Sequence, residues 1–396
     1  MQRFAVITIF AFNGATLGSW APRTPAISEQ IGVGPGPLGL ALLGAAVGML
    51  ISATLSGRLV ERFGARAVVV ASALAVCVVL PFVGAAQSVG WLAVALVGLG
   101  ASTGALDVSM NIAGVAVERA EGRPVMPLFH AWFSFGALAG SGGAALAAAQ
   151  DWSPLRHFVV AVLVGAVLLA AVVRSVPGIA PQAEPTVAPA KKGASPIRRP
   201  ALWLLAAIAL CSAIAEGASS DWSALLLVSE QGASEGAAAL AYAGFSLAMA
   251  FTRLAGSWAQ RRFGATRMLV AGAACAGTGL VGAALIGLPA VSYAGFVLAG
   301  AGLAACFPLT LGLAAEAGKR PDNTGGEREV AFVTAIAYTG FLAGPPVIGG
   351  IAQLTSLSVS FVVAGVVAAV VAPAAVAAAR FVARERAARH EVRVVP

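Results

Sequence analysis

The sequence predicts an all-α membrane protein of twelve transmembrane helices in two related six-helix halves. Three observations carry that prediction. Hydrophobic residues make up 59% of the 396 and charged ones 11%, and mean hydropathy is +0.88, too little polar surface for a soluble chain of this length. Apolar stretches of about twenty residues recur along the chain, each long enough to cross a ~30 Å hydrocarbon core. Third, segments of the first half return in order in the second.

Helix 1 is expected over 4–27. At 1.5 Å per residue, Asn13 lies roughly 15 Å from Arg3 at the midplane, and Arg23 roughly 30 Å from it near the far surface. Helices 2 and 3 are expected over 37–57 and 67–87, joined by a turn bearing Arg58, Glu61, Arg62 and Arg66. Helix 4 (91–116) carries Asp107 and Asn111, four apart on one face, ~16 Å and ~10 Å from Glu118. Helix 5 (127–149) puts His130 level with Asn111, which predicts a contact between them. Helix 6 spans 155–175.

A Pro- and Ala-rich stretch with four basic residues then reads as an irregular cytoplasmic linker over 176–199. The organisation is thus an N-terminal half (1–175), the linker, a C-terminal half (200–379) and a basic tail (380–396). The second half continues with helices at 200–227, 237–257, 267–288, 291–315, 329–350 and 358–379.

Helix 7 places two carboxylates at hydrocarbon depth. Asp221 lies roughly 31 Å from Pro200, near the outer surface, and Glu216 roughly 24 Å from it. Ser212, Glu216 and Ser220 repeat every four residues and should face a cavity or the bundle interior. Low dielectric favours the neutral acid at Glu216, which could release a proton when the cavity opens to water. "NGATLGSW" in helix 1 and "EGASSDW" in helix 7 share a shape, so Asn13 and Glu216 should face one another. Trp132, Tyr242, Phe245, Phe307 and Tyr338 are candidate aromatic walls.

Nearly every Lys and Arg falls at one set of helix ends: Arg58, Arg62 and Arg66; Arg119 and Arg123; Arg261, Arg262 and Arg267; Lys319, Arg320 and Arg328; and five arginines from Arg380 to Arg393. Only Arg23 and Arg156 depart. The positive-inside rule then predicts both termini in the cytoplasm, and the +8 net charge reflects orientation rather than a nucleic-acid partner. The four cysteines lie in apolar stretches without metal-like spacing and read as small core residues.

The repeats are specific in their order. "ERFGARAVVVA" (Gly64) is echoed by "RRFGATRMLVA" (Gly264), "GLGA" (Gly98) by "GAGL" (Gly300), and "GALAGSGG" (Gly136) by "GFLAGPPV" (Gly340). Ordered matches with slowly growing offsets argue for duplication, an arrangement frequent in secondary transporters.

Over its full length the chain resembles the major facilitator superfamily. "GRLVERFGAR" resembles the signature that family carries between helices 2 and 3, with Glu61 where Asp is more usual. "TRLAGSWAQRRFG" keeps Arg253, Gly256 and Gly264, with Ser257 where Asp is common. "GALDVSMNIAGVAVERAEGRPVMPLFHAWFSFGALAG" and "EGASSDWSALL" resemble bacterial inner-membrane transporters of the YbjJ and MosC kind. The resemblance implies a central site between the halves, lined by helices 4 and 10 among others. It also implies a cytoplasmic charge network of Gly57, Arg58, Glu61, Gly64, Arg66 and Arg253 that holds one conformation. Helices 1 and 7 should approach on the outer side, where Arg23 and Asp221 are expected to pair as an outer gate. The family's drug antiporters differ: Val94 replaces their helix 4 arginine and Ser141 the proline of their helix 5 motif.

These observations predict alternating-access transport of a small solute, with proton-coupled symport as the leading reading; a polar, sugar- or cyclitol-like solute is what the resemblance to the MosC kind implies. Proton-coupled efflux of drugs or metabolites, sodium coupling and uniport stay open, as does a non-transporting sensor or scaffold. No Walker sequence points to ATP. His130, His157 and His390 lack a metalloprotease context, so enzyme chemistry and cofactors are not expected. The predicted partners are the solute, protons and the bilayer, with no nucleic acid and a monomeric state.

Overall fold

Among the residues that the computed structural model describes (1–123, 125–178, 196–319 and 326–394), every regular element is helical. The first half contains α1 (Gln2–Trp20), α2 (Thr24–Ile31), α3 (Pro35–Phe63), α4 (Ala65–Gly84), α5 (Val89–Glu121), α6 (Met126–Ala149) and α7 (Pro154–Val172). The second contains α8 (Pro200–Gln231), α9 (Glu235–Phe263), α10 (Ala265–Leu285), α11 (Pro289–Leu303), α12 (Cys306–Gly318), α13 (Glu327–Leu354) and α14 (Leu357–Val394). They make twelve spans long and apolar enough to cross a membrane. A 3-10 turn at Ala21–Arg23 joins α1 to α2 as the first span, and α11 with α12 forms the tenth.

Local chemistry sets the ends. Ser88, Ser153 and Ser234 accept hydrogen bonds from Trp91, Arg156 and Ala237 at the starts of α5, α7 and α9, satisfying amides that lack intrahelical partners. Glu118 accepts from the amides of Val125 and Met126 at 2.7 and 2.9 Å, tying the end of α5 to the start of α6. Gly64 and Gly264 sit at φ 82° and 79° with ψ near 155°, a region essentially closed to side chains. Gly32 and Gly232 both end helices at φ 67°. Both pairs are 200 residues apart, so the duplication reaches the backbone.

Within each half, small residues let helices touch backbone to backbone, as in membranes generally. A methyl group at Gly14 or Gly18 would collide with the carbonyls of Phe133 or Ala137 on α6, and one at Gly136 or Gly140 with Ala11 or Ala15 on α1. Gly44 and Gly48 of α3 meet α5 in the same way. Between halves, α6 packs on α9, α3 on α13, and α8 on α2 and the 3-10 turn.

Three expectations need correction. The first span bends through its 3-10 turn and runs to Ile31. The tenth breaks at Ala304–Ala305, because Pro308 has no amide to donate to the Ala304 carbonyl. The basic tail does not begin a separate segment at 380, since α14 continues through it to Val394. Most of the expected linker (179–195), Arg320 and the last two residues lie outside the described residues.

Candidate functional site

The two halves enclose a cavity of about 260 Å³, lined by α1, α3, α5 and α6 on one side and α8, α9 and α13 on the other. Asn13, Thr103, Asp107 and Ser134 face it from the first half. Glu216, Ser220, Asp221, Tyr242, Ser246 and Arg253 face it from the second, among apolar Trp20, Phe133, Phe245 and Phe341.

Three carboxylates and one guanidinium therefore share a small chamber. Asp107 lies exposed on its wall, and Asn111 bonds back to it, donating to its carbonyl at 2.8 Å and to Oδ1 at 3.3 Å. Asp221 Oδ1 accepts from Ser220 Oγ at 3.0 Å. Glu216 Oε1 stands 3.8 Å from Arg253 Nη2. Arg253 Nε donates at 3.5 Å to the Ala304 carbonyl, the group that Pro308 leaves without an intrahelical donor. One side chain of α9 thus spans α8 and the break in the tenth span. Asn13 is buried and its Nδ2 points at Met110 Sδ, 3.8 Å away. Tyr242 and Phe245 stack with centroids 6.1 Å apart.

Other candidates fall elsewhere. Asn111 turns to Asp107, and His130 instead sets its ring edge-on to Phe10 at 5.3 Å, so the expected Asn111–His130 contact does not form. Trp132 packs on Phe135 outside the cavity lining. Phe307 packs against the apolar cluster of the second half, and Tyr338 is exposed off the lining. Ser212 is fully buried, so the serine stripe reaches the cavity only at Ser220.

The gate pairing differs from expectation. Arg23 is 2% exposed and pairs with Glu235, not Asp221: Nη1 lies 3.3 Å from Glu235 Oε2, and Nη2 donates to the Trp152 carbonyl. The carboxyl of Asp221 turns into the cavity while its backbone carbonyl accepts from Thr24 Oγ1 at 3.3 Å. Gln353 Oε1 accepts from Gly36 N at 3.1 Å. Among the described residues, these are all the ion pairs and hydrogen bonds between the halves, and all lie on the face away from the termini.

On the terminal face the expected charge network is unformed. Glu61 and Arg58 have no ion pair or hydrogen bond among the described residues, and Arg66 Nε donates to the Val176 carbonyl at 2.7 Å. Gly57 has open space, Gly64 shapes the turn, and Arg253 belongs to the cavity. Sequence length could have placed Arg253: eleven residues before Gly264 is about 16 Å in, the depth of Asp107. Its likeness to a cytoplasmic signature drew it outward. Glu235 carries no such signal, since a carboxylate in a first helical turn is ordinary capping chemistry.

Comparison with known proteins agrees with this architecture. The pattern of the Major Facilitator Superfamily matches residues 4–326 and 222–395. An uncharacterized MFS-type transporter of Yersinia pestis is 33% identical over 362 residues, covering 91% of each chain. Membrane protein MosC of Rhizobium meliloti is 28% identical over 367 residues, 91% of this chain and 86% of that one. A mutant of the nucleoside transporter NupG shares the fold at a TM-score of 0.75 and 10% identity, covering 96% of this chain and all of that one. The chain is a multi-pass membrane transporter of small solutes, not an enzyme, and it belongs to the major facilitator superfamily.

Proposed function

We propose that the protein moves a small polar solute across the cytoplasmic membrane by alternating access, coupled to protons through Glu216 and Arg253. The observation that carries the reading is that one cavity between two duplicated halves is sealed by inter-half bonds on a single face. By the positive-inside rule the bonded face is the outer one, which supports an inward-facing reading of this conformation.

The residues suggest the coupling step. With Glu216 ionised, Arg253 has a carboxylate on one side and the Ala304 carbonyl on the other. A proton on Glu216 removes the ion pair and leaves Arg253 held only at the break in the tenth span. Protonation state and the geometry of that break are then linked through one guanidinium. Small volume and mixed carboxylate, hydroxyl and aromatic walls favour a compact polyhydroxylated solute. Sugars and cyclitols fit that description, and nucleosides, the class named for NupG, share its chemistry.

Purified protein in proteoliposomes, screened against labelled sugars, cyclitols and nucleosides, tests the reading. Accumulation of one of them should rise when the compartment receiving the solute is made the more alkaline. Glu216→Gln should keep solute exchange but lose gradient-driven accumulation. Undiminished accumulation by that variant sinks proton coupling through Glu216, and cation expulsion against the proton gradient would favour efflux.

A further inference from the structure

The repeat leaves a slot between corresponding helix pairs of the two halves, α4 with α7 and α10 with α14. In the first half, α4 and the end of α7 leave an apolar slot of about 170 Å³ lined by residues such as Val70, Leu169 and Val173. In the second half, α10 and α14 leave one of about 540 Å³, with Val270 of α10 facing Pro373, Val376 and Ala377 of α14. Val70 and Val270 are 200 residues apart, the offset of the repeat. Beyond α7 the chain itself adds Val173 and Val176 to the wall of the first slot. A 3-10 turn at Val173–Ser175 ends α7, buried Val176 follows, and Arg66 bonds to the Val176 carbonyl.

The second slot has no such turn among the described residues, because α14 continues past it as helix. Arg380 and Arg384 stand at its rim instead. Arg267 lies three residues before Val270, on the same face of α10 and one turn nearer the terminal face. Arg267, Arg380 and Arg384 make no ion pair or hydrogen bond among the described residues; Arg384 only overlies Phe381 at 6.0 Å. Arg380 lies 23 residues along α14 from Leu357, about 35 Å, just past a ~30 Å hydrocarbon core and at headgroup level.

We propose that this slot binds one anionic phospholipid, with an acyl chain along Val270 and Val376 and the phosphate on Arg380, Arg384 and Arg267. An apolar groove at acyl depth that ends in three unanswered cations at phosphate depth fits an amphiphile with that order of groups. A free anion would use only the rim, and a zwitterionic lipid would bring its own cation to it.

Native mass spectrometry of the full-length protein, titrated with phosphatidylglycerol or phosphatidylcholine, tests the site. One phosphatidylglycerol should be retained in preference to phosphatidylcholine. Arg380→Gln with Arg384→Gln should weaken retention about thirtyfold, at the usual value of a basic residue near an anionic headgroup. Ala377→Leu, which fills the slot and leaves its charge alone, should weaken retention as well, whereas Arg174→Gln beside the first slot should not. Unchanged melting of each variant without lipid separates lost binding from lost fold. Equal retention of the two lipids, displacement by free glycerol phosphate, or full retention by Ala377→Leu would overturn the proposal.

Discussion

A guanidinium with 2% of its surface exposed needs a counter-charge, and Arg23 finds it in the other half of the molecule. Removing one partner of a buried pair costs more than the pair contributes, because the survivor is left uncompensated. Glu235 is a quarter exposed, which softens the cost. Arg23→Glu and Glu235→Arg should each abolish transport, and the double exchange should restore part of it. Their coupling free energy should be about 1–2 kcal/mol in a thermal-stability double-mutant cycle. Exchange with Asp221 should restore nothing, since its carboxyl faces the chamber. At this scale the sequence shows depth but not direction. Asp107, Glu216, Tyr242 and Phe245 were legible because charges and aromatic groups at hydrocarbon depth need a polar or packed surrounding. His130, Trp132, Phe307 and Tyr338 sit at comparable depths and miss the lining, because helix rotation is set by packing partners that one strand of letters does not name.

Among the elements, α1 and α6 depend on glycine for their approach. Gly14→Leu should force them apart and lower the melting temperature by several degrees in purified protein, at an overpacking cost of at least about 1–3 kcal/mol. Gly57→Ala, where a methyl group meets nothing within 4 Å, should melt with the native protein. Hydropathy found all twelve spans since each crosses the same thickness of oil. It misplaced the end of α14 because the end of apolar character is not the end of a helix. The run after Arg380 is rich in Ala, Arg and Glu, all good helix formers. The break in the tenth span was legible in principle from Pro308, whose missing amide acts one turn earlier, at Ala304.

At the scale of the whole molecule, all the bonds between the halves described here lie on one face, so that face holds the conformation shut. A single cysteine at Thr103 or Ser134, both on the cavity wall, should react with a membrane-impermeant maleimide applied from the terminal face. From the opposite face the reaction should be about tenfold slower or less, and Glu235→Gln should narrow the difference. Equal rates from both faces would contradict a one-sided seal. Duplication was visible in three short echoes, and the glycines at 32 and 232 add a fourth that hydropathy conceals. Which face is sealed was beyond the sequence, because both arrangements use the same helices and differ only in which ends meet.

The last helix has a mechanical corollary. Its 38 residues extend about 57 Å, more than a ~30 Å hydrocarbon core needs, and its main packing partners among the described residues, α8, α10 and α13, all belong to the second half. If the halves rock as proposed, the far end of that helix should sweep a wider arc than any loop near the pivot. A fluorophore placed there would turn each cycle of the machine into a displacement large enough to watch one molecule at a time.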